Sequence, residues 1–376
     1  MAGAPGGPGG TVRADMSDAT ILFTGFPGFI GARLIPKLLA GAPGTTVVAL
    51  VEPRMVERAR RDAAALDASR VVVEAGDITD PHLGLAPARY AELVATTTQV
   101  HHLAAIYDLA VPLAVAERVN VLGTQHVVAF CRAAPELERL HYISTCYVAG
   151  LRSGRVYEHE LAAGQGFKNH YESTKFGAEV LVRASMDVVP TTIYRPAIVV
   201  GDSHTGVTAK FDGPYYLLRT LQRLGARQPI PQTGRGDAAF NVVPIDFVID
   251  AIAAAAADSE AVDETLHLCD PAPVSSAELM RTFSVLYAGR EPSYHVPPGV
   301  VDRALRFAAV RRAFGGTPRE SILYLNHPVS FDTRRADAIL GRTGLRCPRF
   351  VDYAPRLVEF FRAHEDDPAL ATASRT

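Results

Sequence analysis

Apolar positions along this chain follow two alternating spacings. Short continuous runs rich in β-branched residues cover Thr20 to Thr24, Thr46 to Val51, Arg70 to Glu74, Gln99 to Leu103, Arg139 to Ser144 and Thr191 to Arg195. Runs of this kind predict strands buried on both faces. Between them the apolar residues recur at three- and four-residue intervals, predicting helices over Ile30 to Ala40, Arg54 to Leu66, Val119 to Ala133 and Tyr171 to Ser185. The first of these carries its stripe on Ile30, Leu34, Ile35, Leu38 and Leu39. Strand and helix taking turns imply right-handed crossovers, and hence an α/β fold with a doubly wound parallel sheet.

After Arg195-Pro196 the pattern loosens, and Pro, Gly and aromatic residues crowd Gly201 to Gly236. A strand and helix return over Phe240 to Ala257, with a further strand at Thr265 to Cys269. The expected layout is a dinucleotide-binding domain over residues 17–200, rejoined by 238–270. A smaller, discontinuous substrate or lid domain takes 201–237 and 271–364. Residues 1–16 are mostly Gly, Pro and Ala, too poor in apolar residues for a secretory signal, and read as a disordered tail. The natural start is Met1 or Met16, and residues 365–376 read as a frayed end.

Composition changes this picture little. Apolar residues make up 48% and charged residues 21%, ordinary for a globular chain, and a net charge of −2 gives no reason to expect nucleic acid. No apolar run approaches the ~20 residues of a membrane span. Cys131, Cys146, Cys269 and Cys347 lie far apart, without a CxxC pair or a His-Cys cluster at metal spacing. Reduced thiols, a cytoplasmic location and no metal follow as expectations. The oligomeric state is open, and a homodimer is compatible with the sequence.

The candidate chemistry begins at Gly25-Phe26-Pro27-Gly28-Phe29-Ile30-Gly31, which follows the first strand and opens a helix. Glycines there permit a tight turn, close approach of main chain to a pyrophosphate, and close packing of helix on strand, as in Rossmann-like dinucleotide sites. Glu52, at the end of the second strand, suits the ribose hydroxyls of NAD. Arg54 and Arg58 just behind suit the 2′-phosphate of NADP, so the two signals conflict. Asp77 and Ile78, after the third strand, are placed to meet the adenine, although Asp77 reads almost equally well as a turn aspartate.

Tyr171 and Lys175 stand four apart, on one helix face. A nearby ammonium can draw a phenol's pKa down from ~10 toward the range useful for acid–base work. Ser144 and Thr145 end a predicted strand at its carboxyl edge, where ligands bind in such folds. Asn120 falls on the intervening helix, within reach of supporting the lysine through water.

These motifs, together with His102-Leu103-Ala104-Ala105, Tyr194-Arg195-Pro196 and Val243-Pro244-Ile245-Asp246, resemble an extended short-chain dehydrogenase/reductase over Thr20 to Cys269. The resemblance implies Tyr171 as acid/base, Lys175 as its partner and ribose ligand, and Thr145 as the hydroxyl that polarises the carbonyl. Ser144 is the second choice for that hydroxyl, and Asn120 takes the supporting place. Leu103, Ala104, Ala105 and Pro196 fall at cofactor positions. Within that superfamily His141 to Val148 and Tyr194 to Asp202 look most like the thioester reductase and fatty acyl-CoA reductase branch, the male-sterility-like NAD-binding group. That branch implies NADPH-dependent reduction of a CoA- or carrier-bound acyl thioester to aldehyde or alcohol. It usually carries an arginine just after the second strand, where this chain has Glu52, with Arg54 as substitute.

The same apparatus also serves alcohol or ketone oxidoreduction on lipids, sterols or polyketides, and sugar-nucleotide epimerases and dehydratases. A cofactor-binding redox sensor is a third reading, against which the intact Thr145, Tyr171 and Lys175 argue. Phe167 to His170 are expected at the mouth of the site. Phe211, Tyr215 and Tyr216 fit either an acyl channel or lid packing. Val300 to Phe314, with Arg303, Arg306, Arg311 and Arg312, reads as a lid helix with a solvated charged face rather than a membrane or carrier contact.

Overall fold

The computed structural model describes residues 19–107, 111–225, 228–313 and 321–371. The calls on the N-terminal tail, on Phe314 and on residues 372–376 lie outside them.

The chain runs β1 (Thr20–Thr24), α1 (Gly31–Gly41), β2 (Thr46–Val51), α2 (Val56–Asp67), β3 (Val71–Ala75), α3 (Pro87–Thr96), β4 (Thr97–His102) and α4 (Leu113–Ala116). A π-helical turn, Glu117–Leu122, leads into α5 (Gly123–Ala133), β5 (Arg139–Ile143), β6 (Gly154–Val156), α6 (His170–Arg183), β7 (Thr191–Pro196) and β8 (Ile198–Val200). Next come α7 (Tyr215–Leu224), β9 (Pro231–Thr233), β10 (Val242–Pro244), α8 (Ile245–Ala256), β11 (Thr265–Leu268), α9 (Ser276–Ala288) and β12 (Tyr294–Val296). The chain closes with α10 (Pro298–Ala304), α11 (Ala308–Ala313), α12 (Ser321–Leu325), β13 (Val329–Phe331), α13 (Arg334–Leu340) and α14 (Phe350–His364).

Seven strands form one parallel sheet in the order β11-β7-β5-β4-β1-β2-β3, the doubly wound arrangement expected from the alternation. Alternate side chains of each strand feed opposite faces. Ile21, Phe23, Val47, Ala49 and Val51 pack with α1, α2 and α8, while Leu22, Val48 and Leu50 pack with α5 and α6. Burial on both faces explains why these strands read as unbroken apolar runs.

A third core lies outside the sheet. Phe211, Tyr215, Leu218 and Leu221 meet Leu279 and Phe283 of α9 and Phe350, Tyr353, Leu357 and Phe361 of α14. Phe211 and Tyr215 are therefore lid packing rather than channel wall. Part of the C-terminal stretch returns to the sheet: Val329, Phe331, Ala336, Ile339 and Leu340 join the core around α8 and β11. The buried Glu158 carboxylate anchors that return by accepting from the main-chain N–H groups of His267, Arg335 and Ala336. The basic stretch at 300–313 forms two short helices, α10 and α11, rather than one. Leu305 is buried at their junction, while Phe307 is 64% exposed.

Beneath α6 sits a carboxylate cut off from water. Glu179 accepts from Arg195 of β7 (2.6 Å), from Arg183 one turn on (3.0 Å) and from the Ser144 hydroxyl after β5 (2.6 Å). Burial drives its pKa upward, but Arg195, Arg183 and the Ser144 hydroxyl together reverse this, holding the carboxyl below the usual range. Removing one partner of such a pair strands the other charge in the interior. Glu179→Ala is therefore expected to destabilise the fold by about 3–5 kcal/mol in urea unfolding; a loss below about 1 kcal/mol would show that the network carries little weight.

Candidate functional site

The turn after β1 owes its path to glycine. Gly25 has φ +94°, and a Cβ there would lie 2.8 Å from the Leu103 Cβ and 2.9 Å from the Ala104 nitrogen, just beyond β4. At Gly31 a Cβ would meet the Gly25 carbonyl oxygen at 2.7 Å. Any side chain would push α1 off the strand and turn its free N–H groups away from the loop.

This turn forms one end of a cavity of about 1520 Å³ that runs along the carboxyl edge of the sheet and into the lid. All of Gly25 to Gly31 line it, as do Glu52, Arg54, Asp77, Ile78, Leu103, Ala104, Ala105 and Pro196. Further along, the same cavity reaches Ser144, Thr145, Tyr171 and Lys175. Every cofactor and catalytic position singled out from the sequence thus opens into one space, except Asn120. The Asn120 side chain is buried in the π-helical turn. Its oxygen accepts from the Ile106 N–H (2.9 Å), and its nitrogen donates to the Ile106 carbonyl (3.3 Å) and the Thr174 hydroxyl (3.0 Å). It braces the loop after β4 against α6 and is bonded to Ile106 and Thr174 rather than to Lys175.

The two candidate hydroxyls part company. Ser144 is committed to Glu179, whereas the Thr145 hydroxyl stands beside Tyr171 in the cavity. Thr145 is itself held by the Tyr147 N–H (3.3 Å) and the Pro196 carbonyl (3.4 Å).

Lys175 does not face Tyr171 as expected. Its ammonium donates to the Tyr142 hydroxyl (2.9 Å) and the Ile143 carbonyl (2.7 Å), and burial brings its pKa down to about 7, Glu179 offsetting part of the drop. Burial raises the Tyr171 pKa, with the Thr145 hydroxyl opposing it in part. The expectation that Lys175 draws the phenol down therefore fails in this arrangement: desolvation dominates both groups and favours their neutral forms.

Sequence reasoning missed what stands behind Lys175. Thr124 of α5 meets His102 Nε2 (2.9 Å), whose Nδ1 meets the Thr24 hydroxyl (2.7 Å). Thr24 in turn accepts from the Ala104 N–H (3.3 Å). These buried hydrogen bonds tie α5 to the strand that carries the glycine turn, and the His102 ring packs beside Tyr142. His102 serves as a structural link among them, its pKa driven down to about 3 by burial. His101, likewise down to about 3, stacks between Phe23 and His141.

Sequence reasoning also missed how the lid meets the catalytic helix. The Asn169 side-chain oxygen caps α6 at the Glu172 N–H (3.0 Å), while its nitrogen donates to the Tyr324 hydroxyl (2.8 Å). Tyr324 of α12 donates to Glu172 (2.7 Å), which also holds Lys168 (3.3 Å) with both side chains buried. The cap was recognisable as an Asn ahead of a helical stripe; the tyrosine comes from 152 residues away and leaves no local signal.

At the adenosine end Glu52 and Arg54 bind each other at 2.8 Å with both side chains exposed. Arg58 lies 3.6 Å from Asp62, and Asp77 accepts from the Thr79 N–H (2.8 Å). Asp202, His204 and Asp246 cluster elsewhere, with His204 exposed, and the structure holds nothing else that points to an ion there. No helix among the described residues is long and apolar enough to cross a membrane.

Comparison with known proteins agrees with this geometry. Residues 23–252 match the NAD-binding family model described as "Male sterility protein". The chain is 31% identical over 257 residues to the non-canonical nonribosomal peptide synthetase cpsA of Aspergillus campestris, covering 62% of this chain and 24% of that protein. It is 28% identical over 266 residues to the L-2-aminoadipate reductase large subunit of Penicillium chrysogenum, covering 64% of this chain and 18% of that one. The chain thus spans a quarter or less of these curated relatives. The terminal R domain from the myxalamid PKS-NRPS biosynthetic pathway superposes with a TM-score of 0.80 at 26% identity, over 94% of this chain and 92% of that one.

The depressed lysine makes a pH prediction. Between its folded value of about 7 and an unfolded value near 10.4, the unfolded chain holds the extra proton, so stability rises with pH through that window. In the cofactor-free protein the difference in unfolding free energy between wild type and Lys175→Met should climb by about 1.4 kcal/mol per pH unit between pH 7.5 and 10. A flat difference across that range would mean that the ammonium stays charged when buried.

Proposed function

The chain belongs to the male sterility protein family of NAD-binding domains, and on that footing we propose that it reduces an acyl thioester, bound to coenzyme A or a carrier, to the aldehyde with NAD(P)H. The observation that carries this reading is the single cavity in which the glycine turn shares space with Thr145, Tyr171 and Lys175. The likeness to a reductase that acts within a much longer protein supports it. The side-chain-free approach at Gly25 and the N-terminus of α1 fit a pyrophosphate. A bound reduced nicotinamide supplies a hydride to the carbonyl carbon.

The protein's own part is to hold and protonate the oxygen. Thr145 and Tyr171 present adjacent hydroxyls to the carbonyl, where negative charge develops as hydride arrives. A phenol kept neutral by burial has its proton available for that oxygen. When the tetrahedral centre collapses, the carbon–sulfur bond breaks, the thiol departs with a proton and the aldehyde remains. Lys175, anchored by Tyr142 and the Ile143 carbonyl, sits where it can meet the nicotinamide ribose and recharge beside it. Ser144 and Asn120 act by positioning: Ser144 fixes the strand end and Asn120 fixes the loop after β4. We assign residues 17–200 and 238–270 to cofactor binding and 201–237 with 271–364 to the substrate side, except that 329–340 pack on α8 and β11 and go with the cofactor-binding part.

NADP(H) is the preferred cofactor in this reading. The Arg54 guanidinium needs only to leave Glu52, an exposed partner worth ~1 kcal/mol or less, to meet a 2′-phosphate. Arg54→Ala should lower kcat/KM for NADPH about tenfold relative to NADH, consistent with loss of one charge-assisted contact; an unchanged ratio would assign the adenosine pocket to NAD.

The test of the chemistry is the absorbance of NADPH at saturating acyl thioester, with aldehyde identified as product. Tyr171→Phe should lower kcat by about 10²–10⁴-fold while cofactor affinity holds. Undiminished turnover in that variant, or consumption with ketones alone, would sink the assignment. Cofactor that cycles without net consumption on sugar nucleotides would favour the epimerase reading instead.

A further inference from the structure

Residues on both sides of Tyr171 are held by one atom from the lid. Tyr171 is the second residue of α6, in the turn whose N–H groups find no partner inside the helix. Asn169 and Glu172 flank it, and both reach the Tyr324 hydroxyl of α12. That hydroxyl accepts from the Asn169 side-chain nitrogen at 2.8 Å and donates to Glu172 Oε1 at 2.7 Å. The Asn169 oxygen meanwhile caps the Glu172 N–H at 3.0 Å. Asn169, Tyr324 and Glu172 thus close a ring of hydrogen bonds around the backbone that carries Tyr171.

The aromatic ring of Tyr324 reaches toward the other candidate hydroxyl. It meets Tyr147 edge to face, centroids 5.0 Å apart, and the Tyr147 N–H donates to the Thr145 hydroxyl at 3.3 Å. The Lys168 ammonium lies over both rings, 5.0 Å from the Tyr324 centroid and 5.7 Å from that of Tyr147. One lid side chain therefore touches the helix turn of Tyr171 and the residue that steadies Thr145. Thr145, Tyr147, Tyr171 and Tyr324 all line the same cavity.

Stability alone gives little reason for this constellation. The Lys168 and Glu172 side chains are 1% and 0% exposed, and a pair so desolvated gains little over apolar side chains of the same volume. What it supplies is fixed geometry. The Glu172 lone pairs are taken by the Lys168 N–H (3.0 Å), the Lys168 ammonium (3.3 Å) and the Tyr324 hydroxyl. The ammonium is moored in turn to the Gly150 carbonyl at 2.7 Å, at the end of the turn that follows Thr145. A placement error of ~1 Å at a reacting group can cost about 10²-fold in rate, so rigidity here acts where it matters to the two hydroxyls.

We propose that Tyr324 is a positioning residue for the candidate chemistry. Its hydroxyl fixes the Tyr171 phenol and its ring fixes Thr145 through Tyr147, so both hydroxyls face one carbonyl oxygen only while α12 is seated on α6. The inference rests on the reading of Tyr171 and Thr145 as the groups that hold that oxygen, and adds the lid residue on which their placement depends. Tyr324 gives no proton to the substrate, because its own is committed to Glu172.

Tyr324→Phe keeps the ring on Tyr147 and leaves Glu172 with both Lys168 bonds, so no buried charge is left bare. In the full chain with NADPH and a saturating acyl thioester, it should lower kcat about 10- to 100-fold and leave KM for NADPH within about twofold. Made in the Tyr171→Phe protein, the same substitution should cost less than about twofold, because the group it positions is already gone. An unchanged kcat would overturn the proposal. So would an equal fold-loss in both backgrounds, which would mark Tyr324 as a general structural residue. Tyr324→Leu, which removes the ring as well, should lower kcat further than Tyr324→Phe; equal losses would overturn the part assigned to the ring.

A second measurement needs no turnover. In the cofactor-free full chain, amide hydrogen exchange over residues 169–174 should be at least about tenfold faster in Tyr324→Phe, with residues 139–143 unchanged. Unmoved exchange over 169–174 overturns the clamp, whatever happens to kcat. Faster exchange there in a protein whose wild type reduces no thioester upholds the clamp and removes the reductase reading alone.

Discussion

Glu179 is the constraint around which the catalytic half is built. A carboxylate with no access to water is tolerated only if its charge and lone pairs are met, and here they are met from three separate places in the chain. Arg195 ties it to the end of β7, so the turn at Pro196 has one position relative to α6. Ser144 ties it to the end of β5, so its neighbour Thr145 has one orientation. Lys175 stands one turn earlier on the same helix and feels the same charge. Adjacent strand ends and the catalytic helix are thereby locked together by one buried anion.

Much of this was legible in the sequence because it is local. The strands of the main sheet are continuous apolar runs, and the runs at Thr20 to Thr24 and Thr46 to Val51 coincide with β1 and β2 residue for residue. The glycine turn, the Tyr171–Lys175 pair and the strand-end hydroxyls are likewise short patterns with local causes. What escaped is non-local or too short for periodicity. Strands of three residues such as Gly154–Val156 and Val329–Phe331 pair only because the C-terminal segment returns to the sheet. Helix α7 was hidden because its aromatic, glycine-bounded start resembles a loop, although Phe211 and Tyr215 pack into the lid core. The resemblance favoured Thr145 over Ser144, but the reason, that Glu179 takes the Ser144 hydroxyl, is a long-range contact with no local signal.

The electrostatics show why motif reading alone misjudges the resting site. A lysine four residues from a tyrosine suggests a cation beside a phenol, but the helix is buried there and the ammonium finds a carbonyl and Tyr142 instead. With Lys175 near its midpoint at neutral pH and Tyr171 firmly neutral, the described arrangement is poised as a proton donor. Reduction needs that state. Oxidation would need the phenolate, and a positive nicotinamide beside Lys175 is the element that would shift the balance toward it.

Tyr171 occupies the seam between two attachments of one helix. The later part of α6 is pinned to the sheet through Glu179, and its first turn is pinned to the lid through Asn169, Glu172 and Tyr324. Lys168 underlies that second attachment, its buried ammonium meeting Glu172 and the Gly150 carbonyl at 2.7 Å. Any rotation of the lid must either break the Tyr324 bond or carry the first turn of α6 with it. The hydroxyl of Thr145, by contrast, belongs to the sheet. The placement of Tyr171 relative to the sheet is thus mechanically linked to the position of the lid.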